Sequence, residues 1–123
     1  MLINLSNHPQ IKWDLKQISF AKGQYGNILD MPFPNINPNF STQEVTELTK
    51  EYYEKIVTIF DECANNPFEN TVHVQGEFTF VYQLVTLLKE SGIHCVASTS
   101  NRMIREEGNK KIIEFSFVQF REY

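Results

Sequence analysis

The chain alternates short apolar runs with longer amphipathic stretches, and this alternation restricts its fold more than any other feature. The apolar runs predict four β-strands, at about residues 2–5, 27–33, 71–74 and 93–97. The stretches between them predict three helices, at about residues 11–22, 41–60 and 78–91. Strands joined through helices run parallel, with right-handed crossovers. The sequence therefore predicts an α/β fold in three layers, with a mainly parallel sheet between two layers of helices.

Local signals set several boundaries of these elements. Ser41 and Glu44 form a capping box, in which the serine side chain satisfies an orphan amide at the start of the second helix. Gly23 is expected to end the first helix, because glycine is the usual left-handed cap. The C-terminal segment predicts a hairpin that turns at Gly108 and Asn109 and ends in an aromatic strand. We expect the strand order 2-1-3-4, with this hairpin at the edge of the sheet.

The predicted strand order also gives the position of a ligand site. In open parallel sheets, ligands bind beyond the carboxyl ends of the strands, where successive crossovers go to opposite sides. Here that position lies between strands one and three. The polar segments SNHP, QGEFT and STSNR follow strands one, three and four. We therefore expect these three segments to meet at one edge of the sheet.

The composition fits a single globular domain over residues 1–123. The chain is 41% hydrophobic, 13% aromatic and 21% charged, which is too apolar for a disordered protein. Its formal net charge of -4 argues against binding to duplex nucleic acid, although a small anion needs only a local cluster of donors. No apolar run is long enough to span a membrane, and no basic segment precedes one. We expect a cytoplasmic protein with no membrane partner.

Cysteine, histidine and glycine patterns argue against several kinds of site. Cys63 and Cys95 lack the spacing of a disulfide framework or a zinc site, and we expect buried free thiols. The histidines are well separated, and we expect His73 and His94 to be structural. The sequence has no G-x-G-x-x-G and no Walker lysine motif. We therefore expect neither a metal nor a cofactor.

The turn at Gln75, Gly76 and Glu77 has both a ligand-binding and a structural interpretation. Backbone amides at a helix start attract anions, and the missing side chain of Gly76 would let a phosphate approach them. Glycine also simply lets a chain turn, and Glu77 favours a helix N-terminus through the helix dipole. Both interpretations of Glu77 stay open at this point.

His8 and Arg102 are the strongest candidates for chemistry outside that turn. A histidine with a near-neutral pKa can act as a general acid or donate to phosphate, although it can equally be a surface residue. An arginine can make a two-pronged contact with phosphate, although a lone one is often only solvated. Trp13, Tyr25 and Phe33 could stack on a base, but we expect them to pack in the core.

The segments QGEFTFVYQLV, ASTSNR and FVQFREY, together with the early LSNHP turn, resemble one group of known proteins. These are the small stand-alone CARF-like, Rossmann-related proteins of type III CRISPR systems. The resemblance covers both ends and the second half of the chain, about half of it. It implies a symmetric homodimer that binds cyclic oligoadenylate across its two-fold axis. Some members of the group are ring nucleases, which degrade that second messenger in antiviral defence.

Carried onto this sequence residue by residue, the resemblance implies ligand-binding residues in all three turns. These are Ser6, Gln75, Gly76, Glu77, Ser98 and Thr99, with His8 and Arg102 as the catalytic candidates. Asn7 and Thr79 lie in the same turns and are expected on the ligand side. Both depart from the pattern of the group, which leaves the shape of the pocket and the size of the ring open.

The chemistry implied is attack of a ribose 2'-hydroxyl on the neighbouring phosphate, which gives a cyclic phosphate without a metal ion. The protein would hold the in-line geometry and stabilise the developing negative charge, through amides near Gly76 with Thr99 and Arg102. His8 would protonate the leaving oxygen, and Glu77 would bind ribose hydroxyls or orient Arg102. Two alternatives stay open: a non-catalytic module that senses or sequesters the same molecule, and a small dimeric interaction protein.

Overall fold

One five-stranded sheet organises the part of the chain that the computed structural model describes, residues 1–63 and 67–123. Its strands are β1 Leu2–Ser6, β2 Ile28–Pro32, β3 Thr71–Val74, β4 His94–Glu107 and β5 Lys110–Glu122. The order is β2-β1-β3-β4-β5, with β4 and β5 antiparallel and the other neighbours parallel. The predicted α/β class and strand order are confirmed, and the arrangement is Rossmann-like.

Three α-helices cover the two faces of the sheet; they are α1 Leu15–Tyr25, α2 Thr42–Glu62 and α3 Phe78–Glu90. Side chains alternate along a strand, so Leu2 packs in a cluster with α1 while Ile3 packs in a cluster with α2 and α3. Helices on both faces were expected from the crossovers, and the two clusters confirm them. No helix in the described part of the chain has the length and apolarity to cross a membrane.

The boundaries of α1 differ from those predicted. The helix runs past Gly23 and ends at Tyr25, with Gly26 at a φ of 79° as its cap. Tyr25 is buried, so the additional residues place an aromatic ring in the core. The helix begins after Asp14, whose side chain accepts a hydrogen bond from the Gln17 amide at 2.8 Å. The residues where the helix was predicted to begin instead form a short 3-10 turn, Gln10–Lys12.

The predicted start of α2 is confirmed. Ser41 Oγ accepts from the Glu44 amide at 3.2 Å, and the Ser41 amide donates to Glu44 Oε1 at 3.2 Å. This reciprocal pair satisfies two amides that an uncapped helix would leave without a partner.

The fourth strand is longer than predicted, and this changes the position of the STSNR segment. Pairing between β3 and β4 ends at His73 and Val96, but β4 continues along β5 as far as Glu107 and Lys110. The segment therefore lies inside a strand rather than in a loop. The hairpin turn at Gly108, with a φ of 62°, is where the sequence predicted it. We call residues 100–117, the distal part of this hairpin, the arm.

The two cysteines are both free thiols. Cys95 is buried in β4, and burial raises the pKa of its thiol to about 12, so it is protonated at neutral pH. Cys63 is only half-buried, which corrects the expectation of two buried thiols. Neither residue lines the cleft described below.

Candidate functional site

A cleft of about 530 Å³ opens at the carboxyl ends of β1 and β3. This is the switch point of the sheet, because the crossover from β1 leads to β2 on one side while later strands are added on the other. The three polar segments predicted to meet at this edge all reach the cleft. Their lining residues are Ser6, Asn7, His8, Gln75, Gly76, Ser98 and Thr99.

Glu77 and Thr79 lie outside this lining and serve the start of α3. The Glu77 carboxylate accepts from the Thr79 amide at 3.0 Å and from the Phe80 amide at 2.8 Å. The Thr79 hydroxyl also donates to it at 2.7 Å. Chiefly the Phe80 amide holds the pKa of Glu77 below its usual value. The carboxylate is thus committed to capping the helix, which is the structural interpretation of this residue.

Arg102 also lies outside the cleft lining, at the end of the STSNR segment, where β4 continues into the arm. It is exposed on the arm, where its backbone pairs with Phe115 of β5. Directly opposed residues in an antiparallel pair share a face of the sheet. Phe115 lines the cleft, so Arg102 belongs to the cleft-facing side of the arm, although it is not itself part of the lining.

Gly76 has a packing reason for its missing side chain. A Cβ at this position would collide with the ring of Phe33, which lies against the glycine. Phe33 in turn packs edge-on against Phe80, with 5.3 Å between ring centroids. The direction in which a side chain of Gly76 would point is therefore filled by an aromatic ring, so packing alone accounts for the glycine, and its approach to phosphate stays a prediction. The residue itself still lines the cleft.

A hydrogen-bond network of β1 and β2 fixes one side of the cleft floor. The side-chain nitrogen of Asn4 donates to Asp30 Oδ1 at 2.8 Å and to the His8 carbonyl at 2.9 Å. Ser6 Oγ donates to Asn4 Oδ1 at 2.8 Å. Trp13 Nε1 donates to the same His8 carbonyl at 2.9 Å. These bonds hold the backbone of the SNHP turn, while the His8 side chain stays exposed at the cleft.

The other side of the floor is built by β3 and β4. His73 Nε2 lies 2.8 Å from Gln75 Oε1, and Ser98 Oγ donates to the same oxygen at 2.6 Å. His73 is 2% exposed, and this burial lowers its pKa to about 4. The sequence assigned His73 a structural role, but the structure places it in the lining of the cleft.

The walls of the cleft contain Ser100 of the expected STSNR segment and further residues that sequence reasoning missed, which are Lys12, Asp14, Gln17, Phe115 and Phe117. Asp14 joins the two walls, because its second carboxylate oxygen accepts from the Phe117 amide at 3.4 Å. The spacing of Asp14 and Gln17 was a usable signal for a helix start. Phe115 gave no local signal, since its position depends on long-range strand pairing.

The aromatic residues under the cleft pack as predicted. Trp13 and Tyr25 are buried, and Phe120 packs against both, with ring centroids 6.1 and 5.7 Å away. Trp13 also meets the His73 ring edge-on at 5.5 Å. Within residues 1–63 and 67–123, no three His, Cys, Asp or Glu side chains are grouped so that they could hold a metal ion.

Comparison with known proteins gives one family. A model described as "Uncharacterized protein MJ1673 family" matches residues 1–121 of the chain. No curated protein and no solved structure matches the chain. The description of the family names no activity, so the functional argument depends on the cleft and on the sequence motifs around it.

Proposed function

We propose that this chain, which belongs to the MJ1673 family, is a CRISPR-associated protein that binds cyclic oligoadenylate and cleaves it without a metal ion. The observation that carries the proposal is the cleft where the SNHP, QGEFT and STSNR segments meet. Its position suits a nucleotide ligand, because Rossmann-like folds bind such ligands at the switch point. The resemblance of the three segments supplies the choice of cyclic oligoadenylate. This function would place the protein in the cytoplasm.

The size and lining of the cleft support a ligand of this kind. A volume of about 530 Å³ lies within the range of small-molecule sites, roughly 300–1,000 Å³. Lys12 and the hydroxyl of Ser100 line it together with the His8 imidazole. These groups can donate to phosphate oxygens and ribose hydroxyls. A ring of several nucleotides exceeds one such cleft and would extend into the cleft of a second copy.

The proposed reaction uses groups of the ligand and of the SNHP turn. A ribose 2'-hydroxyl attacks the adjacent phosphorus and loses its proton to water, and the bond from phosphorus to the 5'-oxygen breaks. The products are a 2',3'-cyclic phosphate and a 5'-hydroxyl, whose proton comes from His8. Lys12 and the amide of Gly76 would stabilise the charge that develops on the phosphate oxygens. Arg102, on the cleft-facing side of the arm, would contribute to the same charge stabilisation.

Incubation of the purified protein with cyclic tetra- and hexa-adenylate in the presence of EDTA tests this function. Separation of the products should show linear oligoadenylate, and His8→Ala should lose most of the activity. His94→Ala is the matched control, because His94 is also exposed but lies at the opposite end of the sheet. Tight binding without products would support the sensor or sequestering module instead. Neither binding nor cleavage would contradict both.

A homodimer is the proposed assembly, and the arm is the observation that favours it. Pairs of strands with no further cover are marginally stable in water. On the cleft-facing side of the arm, Ile104, Ile113 and Phe115 are 59%, 46% and 68% exposed. Exposed apolar rows of this kind mark contact surfaces between proteins. These three side chains continue the cleft lining outward along the arm. A second copy that packs on them would therefore also cover a ligand in the cleft.

The charges of the arm favour a second copy as the occupant. Both basic and acidic side chains occur along it; they are Arg102, Arg105, Glu106, Glu107, Lys110, Lys111 and Glu114. Such mixed charges are self-complementary in a two-fold contact, in which the same surface occurs on both sides. Light scattering after size-exclusion chromatography should give twice the mass of the 14.4 kDa chain. A monomer at micromolar concentration would contradict this assembly.

A further inference from the structure

His73 is held between two carbonyl oxygens in the floor of the cleft. Its Nδ1 lies 2.9 Å from Asn4 Oδ1, and its Nε2 lies 2.8 Å from Gln75 Oε1. The residue is 2% exposed, and these two side-chain amides are the hydrogen-bond partners of the ring. The protonation state of the ring therefore depends on which atoms of the two side-chain amides face it.

The orientation of Asn4 is fixed by its other partners. Its side-chain nitrogen has two hydrogens, and both have acceptors, namely Asp30 Oδ1 and the His8 carbonyl. Its side-chain oxygen accepts from Ser6 Oγ at 2.8 Å. Rotating the amide by 180° would place two oxygens against the Asn4 oxygen, so Oδ1 must face His73.

The orientation of Gln75 is fixed in the same way by β4. Its side-chain nitrogen donates to the Ser98 carbonyl at 3.2 Å. Its side-chain oxygen accepts from Ser98 Oγ at 2.6 Å and from the Ser98 amide at 3.3 Å. The reversed amide would set oxygen against oxygen at Ser98, so Oε1 also faces His73.

Two acceptors around one imidazole leave the neutral ring incompletely satisfied. A neutral histidine has one N–H and one lone pair, whereas the imidazolium donates from both nitrogens. In the neutral form, one ring nitrogen therefore presents its lone pair to a carbonyl oxygen. Desolvation nevertheless outweighs the contact with Gln75 and keeps the pKa of His73 at about 4, so the ring is neutral at pH 7.

Positive charges around His73 add to the effect of burial in keeping the ring neutral without a ligand. His8, beyond the end of β1, lowers the pKa of His73 further, and Lys12 adds positive charge at the cleft wall. Of the acidic groups nearby, Asp30 acts on His73 only through Asn4, and Asp14 is engaged by the Gln17 and Phe117 amides. Phe120 from β5 covers the ring edge-on at 5.5 Å. Asp14 is the one acidic side chain among the described lining residues and is already held by these amides, so an anionic ligand would add negative charge beside Lys12 and His8.

We propose that binding of a phosphate-bearing ligand in the cleft is coupled to the uptake of one proton by His73. The imidazolium then donates to Asn4 and Gln75 at once and, through Gln75, holds Ser98. His73 is thus a positioning residue for the cleft and a source of selectivity for anions over neutral ligands. This inference rests on the proposed function only for the phosphate group of the ligand, not for the ring or its cleavage.

Nitrogen NMR of the histidine rings tests the coupling directly in the wild-type protein. The pKa of His73 is measured in the free protein, with saturating sulfate, and with saturating cyclic tetra-adenylate. Sulfate and phosphodiesters serve as probes because their own charge is constant over the pH range. We expect at least one anion to raise the pKa of His73 by about one unit or more, which corresponds to about tenfold tighter binding of that anion at low pH.

Calorimetry in buffers of different ionisation enthalpy provides the second readout. Near pH 4.5, midway between the free pKa of about 4 and a pKa raised by one unit, the wild-type protein and His94→Gln should take up about half a proton or more when the anion binds, whereas His73→Gln should not. A pKa of His73 that neither anion changes would overturn the inference, as would unchanged proton uptake in His73→Gln. If sulfate raises the pKa but cyclic tetra-adenylate does not bind, the inference stands and the proposed function fails. If cyclic tetra-adenylate binds and is cleaved but neither anion causes His73 to take up a proton, the inference fails and the proposed function stands.

Discussion

Glu77 and Gly76 show how adjacent residues in one turn can have different reasons for their identity. The sequence places both beside a predicted ligand edge, and a carboxylate there is compatible with ribose binding. The structure commits the Glu77 oxygens to the Thr79 and Phe80 amides and places the Phe33 ring against Gly76. Both residues therefore stabilise the turn that presents Gln75 to the cleft.

Glu77→Ala should lower the free energy of unfolding by about 1 kcal/mol, because two amides at the start of α3 lose their acceptor. Urea denaturation measures this loss. Glu47→Ala is the control, since Glu47 is exposed in the first half of α2 and caps nothing. Ligand affinity should stay within about twofold in both variants. A fall in affinity of more than tenfold for Glu77→Ala alone would instead assign the carboxylate to the ligand.

Gly76→Ala should destabilise the protein by about 1–3 kcal/mol, because the added methyl group collides with the Phe33 ring. The collision disappears when Phe33 is truncated. In the Phe33→Ala background the same substitution should therefore cost much less, which a double-mutant cycle of unfolding free energies measures. Equal costs in the two backgrounds would show that the Phe33 ring is not the reason for glycine.

His73 should make the stability of the protein depend on pH. Its pKa is about 4 in the folded protein, against 6.5 for an unperturbed histidine, so the unfolded chain takes up the proton first as the pH falls. The neutral, buried His73 therefore adds about 3 kcal/mol to the free energy of unfolding at pH 7. This stabilisation is lost progressively as the pH falls from 6.5 to 4. Urea denaturation across this range should show a shallower pH dependence for His73→Gln than for the wild type. Equal slopes would rule out His73 as the source.

Among the elements, those with strong local signals were predictable and those that depend on distant partners were not. The capping box places the start of α2, and the apolar run 71–74 gives β3 with its observed bounds. The STSNR segment is polar and locally resembles a loop. It becomes strand because β5 pairs with it over its whole length. This tertiary effect also hides Phe115 and Phe117 as cleft residues.

The arm offers a matched pair of substitutions for the proposed dimer. Ile104 and Met103 are adjacent and almost equally exposed, at 59% and 57%, but they lie on opposite faces of β4. Ile104→Lys should convert the dimer to a monomer, because it puts a charge in the cleft-facing row. Met103→Lys should leave the mass unchanged. If Met103→Lys dissociated the dimer and Ile104→Lys did not, the interface would instead lie on the other face of the arm.

For the molecule as a whole, topology explains why the site could be located before its walls were known. Parallel strands end at the same edge, so the segments after β1 and β3, with STSNR in β4, had to come together. The shape of the cleft depends on additional residues from the start of α1 and from β5. Those elements pack on the site through the contact between Asp14 and the Phe117 amide and through the aromatic cluster. No local sequence pattern specifies these long-range contacts.

The most direct test of the central claim is mass spectrometry of cyclic tetra-adenylate after incubation with the protein and EDTA. The mechanism predicts linear fragments that carry a 2',3'-cyclic phosphate and a 5'-hydroxyl, at a rate that His8→Ala reduces. An intact ring after prolonged incubation would contradict cleavage. Fragments with other ends would contradict attack by the 2'-hydroxyl.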